Sequence, residues 1–164
     1  MDGFHAPTTP QVPVPATAVA AACDPHLDRR MTPIRRAMLD IFGQEHRPLR
    51  AYDLIPRLET ACARRFQPQT IYRTLDFLMK EGLVLRIESW NAYIARPAAG
   101  PDHAALFLLC GRCGDARVVD SAALPGVLDA LAVMNGFRGE RRIVELQGVC
   151  GLCRAPEPSA APSF

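Results

Sequence analysis

The sequence predicts an α+β protein of two small units, a winged helix-turn-helix over residues 26–96 and an α/β unit over residues 103–154. Three observations predict it. Three stretches with helical apolar spacing lead directly into two short β-like runs. The pattern restarts after a Pro/Ala/Gly stretch at 97–102, and the second unit carries two Cys-x-x-Cys pairs. At 164 residues and 49% apolar content, the chain has room for two compact units but not for two large ones.

Residues 1–25 are rich in Pro, Ala, Val and Thr with no period that buries a face, so disorder is expected there. The tail 155–164 (APEPSAAPSF) has the same character. Thr32-Pro33 is a helix start, with the hydroxyl placed to cap free amides and proline where no amide is needed. Ile34, Met38, Ile41 and Phe42 then follow at helical spacing, and Gly43 is placed to end the helix. A second helix is expected from Arg50 to about Ala63, burying Leu54, Ile55, Leu58 and Ala61. Pro56 within it predicts an irregular helix or a late start.

The third helix opens at Pro68 and closes at Gly82, where a left-handed cap belongs. Ile71, Leu75, Leu78 and Met79 make its apolar face, and Gln69, Thr70, Arg73 and Asp76 make a face of hydrogen-bonding groups. A helix lying in the DNA major groove needs such a face, because base edges are read through donors and acceptors. An ordinary amphipathic helix with a wet exterior shows the same pattern. The runs Leu83 to Glu88 and Ala92 to Ala95, joined by Ser89-Trp90-Asn91, complete the order of a winged helix, with Arg86 or Arg96 positioned for a phosphate backbone.

In the second unit Ala104 to Leu109, Ala116 to Val119 and Arg141 to Val149 are expected strands. A helix is expected from Ser121 to Met134, with Leu124, Val127, Leu128 and Leu131 on one side and Asn135-Gly136 as its stop. A unit this small needs a staple or a second chain. Cys110-Gly-Arg-Cys113 and Cys150-Gly-Leu-Cys153 each follow a strand, where a tight turn aims two sulfurs at one ion. Four thiolates complete a tetrahedral shell and leave no open position, which points to a structural metal, zinc or iron. A redox pair is the competing chemistry, although it needs a single pair at a helix start. Cys23 and Cys62 have no partner at ligand spacing.

Charge is uneven along the chain. His26 to Ala95 carries twelve Lys or Arg against eight Asp or Glu, whereas Pro97 to Arg154 carries six of each, so a polyanion belongs with the first unit. No run approaches the ~20 apolar residues of a membrane span, and no export signal opens the chain, so a soluble cytoplasmic protein without membrane contact is expected. The sequence lacks His-Glu-x-x-His, a nucleophile elbow or a phosphate loop, and has only four histidines. A zinc or thiol enzyme is therefore a remote alternative, and no small-molecule substrate is expected.

Thr32-Pro33, Ala51-Tyr52-Asp53-Leu54, the run Thr70 to Leu78 (TIYRTLDFL), Glu88 to Tyr93 (ESWNAY) and His103 to Cys113 resemble the ferric uptake regulator superfamily. Within it the Ala-Tyr-Asp-Leu and Tyr-Arg-x-Leu-Asp-Phe-Leu segments are most similar to the zinc uptake regulator branch. The likeness covers Arg30 to Cys153 in consistent order. It implies a metal-responsive repressor of zinc-uptake genes that binds double-stranded DNA at an inverted-repeat operator. It also implies a homodimer, with residues 103–154 as the dimerisation domain and Cys110, Cys113, Cys150 and Cys153 holding one structural zinc per chain. By position, Tyr52 and Arg73 contact bases, while Tyr72 and Thr70, beside Gln69, place the third helix on phosphates.

The resemblance further implies a second, regulatory metal between the two units, zinc in this branch. The positions where relatives hold its ligands carry Leu85, Ala95 or Arg96, and Val118 here, with only His103 retained. A replacement set is available in His103 with Asp102, Glu88, Asp120 or His46. Without it the chain is a constitutive or thiol-redox-responsive DNA-binding regulator.

Overall fold

The computed structural model describes residues 29–45, 47–97, 104–140 and 142–154, with only the backbone of residues 104, 105 and 120. The expected tails 1–25 and 155–164, most of the hinge 97–102, His46, Asp102, His103 and the Asp120 side chain lie outside the described residues.

Helix α1 spans Pro33–Gln44, α2 Ala51–Cys62 and α3 Pro68–Lys80, followed by strands β1 Val84–Ile87 and β2 Ala92–Ala95. Met38 and Phe42 of α1, Leu54 and Leu58 of α2, and Ile71, Leu75 and Leu78 of α3 meet in one fully buried core. Three amphipathic stripes thus converge, and removing the Leu54 side chain beyond its Cβ would cost on the order of 2–5 kcal/mol.

Local chemistry corrects several expectations. Gly43 does not end α1, which runs on to Gln44 and stops at Glu45 in an extended conformation. The Thr32 hydroxyl makes no capping bond, although Thr32 occupies the cap position. Helix α2 is regular despite Pro56 and starts at Ala51, one residue after Arg50. The Asp53 carboxylate accepts the Arg50 amide at 3.0 Å, closing the first turn. Proline there forgoes one backbone bond, to the carbonyl of Tyr52, and both residues lie on the exposed side of the helix. Gly82 has φ +68°, the left-handed cap its position after α3 predicts.

The wing gains a contribution that periodicity does not signal. Leu49 exchanges both backbone hydrogen bonds with Tyr93 at 2.8 Å, adding a one-residue third rung to the β1-β2 hairpin. The hairpin pairs Ile87 with Ala92 and turns through residues 88–91, with Asn91 at φ +48°.

The second unit contains β3 Ala104–Cys110, β4 Ala116–Ser121, helix α4 Leu124–Met134 and β5 Val144–Gly148, in sheet order β4-β3-β5. The first pair is antiparallel and the second parallel, and the central position of β3 explains its continuous apolar run. Helix α4 begins at Leu124 rather than Ser121, because the Ser121 hydroxyl accepts the Leu124 amide at 3.3 Å. The strand expected at 141–149 is trimmed to Val144–Gly148.

Strand alternation divides this sheet into two faces. Phe107, Leu109 and Ala116 are buried against Ile87 and Ile94 of the wing, with Leu85, Trp90 and Val118 at the margin, so a dry seam joins the two units. On the other face Leu146 is 60% exposed. The apolar side of α4 is also open, with Val127 and Leu131 about half exposed, and no residue of this helix is buried. Among the described residues, no helix is long and apolar enough to cross a membrane.

Candidate functional site

Two features carry chemistry. The first is the outer face of α3. Gln69, Tyr72, Arg73 and Asp76 are exposed and Thr70 is half-buried, while Ile71, Thr74, Leu75, Phe77 and Leu78 are buried. The Thr74 hydroxyl is spent on the Thr70 carbonyl at 2.8 Å, which leaves the groups on the outer face to present donors and acceptors outward. Within residues 29–97, the exposed large apolar side chains are Tyr52 at 69% and Tyr72 at 40%. Both are amphipathic, with a ring for sugar or base contact and a hydroxyl for a phosphate oxygen.

The same unit exposes several arginines. Arg36, Arg50, Arg64, Arg65 and Arg73 are wholly or partly exposed, and Arg64 lies over the Phe66 ring at 4.6 Å, just before α3 begins. Of the two basic residues expected near the wing, Arg86 is engaged within it: its guanidinium donates to Asn91 at 3.1 Å and lies 3.2 Å from the Glu88 carboxylate.

The second feature is a cluster of four cysteines. Because β3 and β5 are parallel and Cys110 pairs with Gly148, their C-terminal ends emerge side by side and the turn after each delivers a Cys-x-x-Cys pair to one place. The Gly114 amide donates to the Cys110 carbonyl at 3.0 Å and the Arg154 amide to the Cys150 carbonyl at 2.9 Å, shaping two matching knuckles. Gly114 has φ +71°, which favours glycine at that turn. Arg112 donates to the Cys153 carbonyl at 2.8 Å and ties the knuckles together.

One sulfur from each of Cys110, Cys113, Cys150 and Cys153 lies within 4.8 Å of the others, an arrangement able to hold a metal ion. The Sγ atoms of Cys113 and Cys150 are 3.7 Å apart, too far for a disulfide. Four sulfurs at ~2.3 Å from one tetrahedral ion are spaced about 3.8 Å apart, so the donor set fits in number, type and separation. The cysteines differ electrostatically. Backbone amides of Cys150, then Cys113 and Arg112, bring the Cys110 thiol down to about 6. Hydrogen bonding with the Cys113 and Cys150 sulfurs, followed by burial, pushes Cys153 up to about 12. A cation would favour the thiolate of each.

Glu88, the described member of the expected regulatory set, pairs with Arg86. Among the described residues, the four cysteines are the one group of three or more His, Cys, Asp or Glu side chains close enough to share an ion. Leu85 and Val118, where the resemblance locates sensor ligands, pack against the apolar seam.

Sequence reasoning missed Glu145. From β5 its carboxylate accepts the Glu88 amide at 2.6 Å and the Ser89 amide at 3.1 Å, across 57 and 56 residues of chain. Burial pushes the Glu145 carboxyl up, but the Ser89 hydroxyl and the Glu88 and Ser89 amides outweigh it and hold the group below the ordinary carboxylate value. The available signal was a single charge in the alternating run Val144–Gly148.

The profile of the ferric uptake regulator family matches residues 27–146. The zinc uptake regulation protein of Escherichia coli (strain K12) is 31% identical over 134 residues, 81% of this chain and 78% of that protein. A solved zinc uptake regulator complexed with zinc and DNA superposes with a TM-score of 0.74 at 30% identity, covering 82% of this chain and 91% of that one. Holo XcZur gives 0.63 at 34% identity, covering 74% and 84% respectively.

Proposed function

This chain belongs to the ferric uptake regulator family, in its zinc uptake regulator branch, and on that premise we propose that it represses zinc-uptake genes as a homodimer bound to an inverted-repeat operator. Members of this family are transcription factors rather than enzymes. The observation that carries the proposal is the exposed hydrogen-bonding face of α3, which includes Tyr72, together with exposed Tyr52 on α2, in a unit whose remaining large apolar groups are buried or half-buried.

In this proposal residues 26–96 form the reading unit and residues 103–154 the dimerising one. Arg73 and Tyr52 contact base edges, and Gln69, Thr70 and Tyr72 fix the helix in the major groove through bases and phosphates. The exposed arginines of this unit add affinity without sequence preference, which makes binding fall steeply with salt. Cys110, Cys113, Cys150 and Cys153 hold one structural zinc per chain. When bound, that ion supplies cross-linking of the β3 and β5 ends and so stabilises the unit that carries α4. Arg112 and the backbone amides of Cys113 and Cys150 orient the sulfurs around it.

A regulatory metal, zinc in this branch, is assigned to His103 with Asp102, Glu88 and Asp120. A second reading, metal-independent binding, is favoured by the packing of Leu85 and Val118 in the dry seam. One experiment separates the two: operator affinity titrated over free zinc, manganese and iron(II), with metal counted on the same sample. A metal-responsive repressor retains one zinc per chain and gains affinity as further metal binds. Affinity unchanged across the titration selects the second reading, and no binding to any duplex defeats both. We place its site of action in the cytoplasm, a reducing compartment in which cysteines stay available as metal ligands.

A further inference from the structure

The turn of the wing offers two backbone amides, at Glu88 and Ser89, to the sheet of the other unit. Both are taken by one side chain: Oε1 of Glu145 accepts the first at 2.6 Å and Oε2 the second at 3.1 Å. Glu145 stands opposite Phe107 in the parallel β3-β5 ladder, and Phe107 is buried in the apolar seam with Ile87 and Ile94. The same sheet face therefore presents a greasy surface to the wing strands and a carboxylate to the wing turn. Apolar burial is non-directional and tolerates sliding. A carboxylate gripping two successive amides is directional, and its charge strengthens both bonds.

We propose that Glu145 is a positioning residue that fixes the winged helix on the β4-β3-β5 sheet, and thereby fixes the distance at which two copies of the chain present their α3 helices. This rests on the homodimeric DNA-binding reading above. In a two-fold dimer the separation of the reading helices equals twice their offset from the axis, so a loose joint in each chain is felt twice at the operator. The seam holds the units together, and the Glu145 grip selects one register of wing on sheet. Trp90, the single tryptophan of the chain, is the residue after Ser89 and packs at the edge of the seam, so it reports on the joint.

The test uses full-length, zinc-loaded native chain, Glu145→Gln and Glu145→Ala. Each is measured for preference among operators whose half-sites are moved apart or together by one and two base pairs, for Trp90 emission, and for amide exchange at Glu88 and Ser89. Native chain is expected to prefer one spacing by about tenfold or more. In Glu145→Ala that preference collapses to within about threefold, Trp90 emission shifts to the red, and both amides exchange faster. Glu145→Gln keeps one acceptor oxygen and falls between, which guards against a general folding defect in the alanine variant. Zinc content and dimer size stay unchanged in both. Retained spacing preference together with native emission and exchange in Glu145→Ala overturns the proposal. If native chain itself binds no duplex, the DNA-binding reading is what fails, while emission and exchange still decide whether Glu145 holds the wing.

Discussion

Individual side chains divide into those whose placement follows from type and spacing and those whose surroundings need the folded chain. Arg73, Gln69 and Thr70 belong to the first group: their spacing against Ile71, Leu75 and Leu78 sets them on the outer face, and the structure exposes or half-exposes them there. Arg73→Ala is expected to cost on the order of 1–3 kcal/mol of operator binding and to relax preference at one position per half-site. A uniform loss across all sequences would assign Arg73 to phosphate instead. The cysteines were equally readable as a set, but their inequality was not, because it arises from the amides around each sulfur. With Cys110 brought down to about 6 and Cys153 pushed up to about 12, the first is mostly thiolate at pH 7 and the second remains a thiol. Zinc loading of stripped chain should then release fewer than four protons at pH 7, and more as pH falls below about 6 and Cys110 protonates. Buffer-dependent calorimetry measures this, and four protons released at pH 7 would show that Cys110 starts protonated. The lowered folded-state value of Cys110 also means that its contribution to the stability of the stripped chain is present above the unfolded thiol range and lost as pH falls through about 6.

The helices are all legible from their stripes, but burial follows only where a stripe has another described element to face. Helices α1, α2 and α3 bury or half-bury the residues their periodicity nominates, since each packs on the other two, with the exception of Ala61, which the end of α2 leaves exposed. Helix α4 is more apolar than these three and buries none of its residues, since nothing among the described residues covers it. Periodicity registers that a face is apolar and is silent about what lies against it. Leu131→Glu in α4 should therefore leave the isolated chain folded while abolishing the dimer, whereas Leu54→Ala in α2 should destabilise the reading unit by on the order of 2–5 kcal/mol. Sedimentation and thermal melts of the two variants check the contrast. A Leu131→Glu chain that stays dimeric would locate the interface elsewhere. Gly82 was readable for a different reason: at φ +68° a side chain is strained, and an added Cβ meets Arg96 only at an ordinary 3.5 Å, so Gly82→Ala should cost about 1 kcal/mol through backbone strain alone.

Considered as a whole, the molecule is two units with different sources of cohesion. The winged helix has a full apolar core, whereas the sheet unit relies on a seam with the wing, a four-cysteine cluster and an open apolar face. Its architecture was visible in the order of the sequence patterns. The joint was not, because the Glu145 grip links residues far apart in the chain and leaves no periodic trace, and the Leu49 rung inside the winged helix escapes notice for the same reason. Chelation should consequently melt the cysteine unit and dissociate the dimer while α1 to α3 keep their packing, which exchange at Leu75 and Leu78 amides would register. Simultaneous loss of protection in α3 would mean that the two units fold as one. The most direct test is selection from a randomised duplex library by zinc-loaded native chain and Arg73→Ala side by side. The native chain should enrich two inverted half-sites at fixed spacing, and the variant should lose one base preference in each. Failure of the native chain to enrich any sequence, or an identical motif from both proteins, would contradict the assignment of α3 as the element that reads DNA.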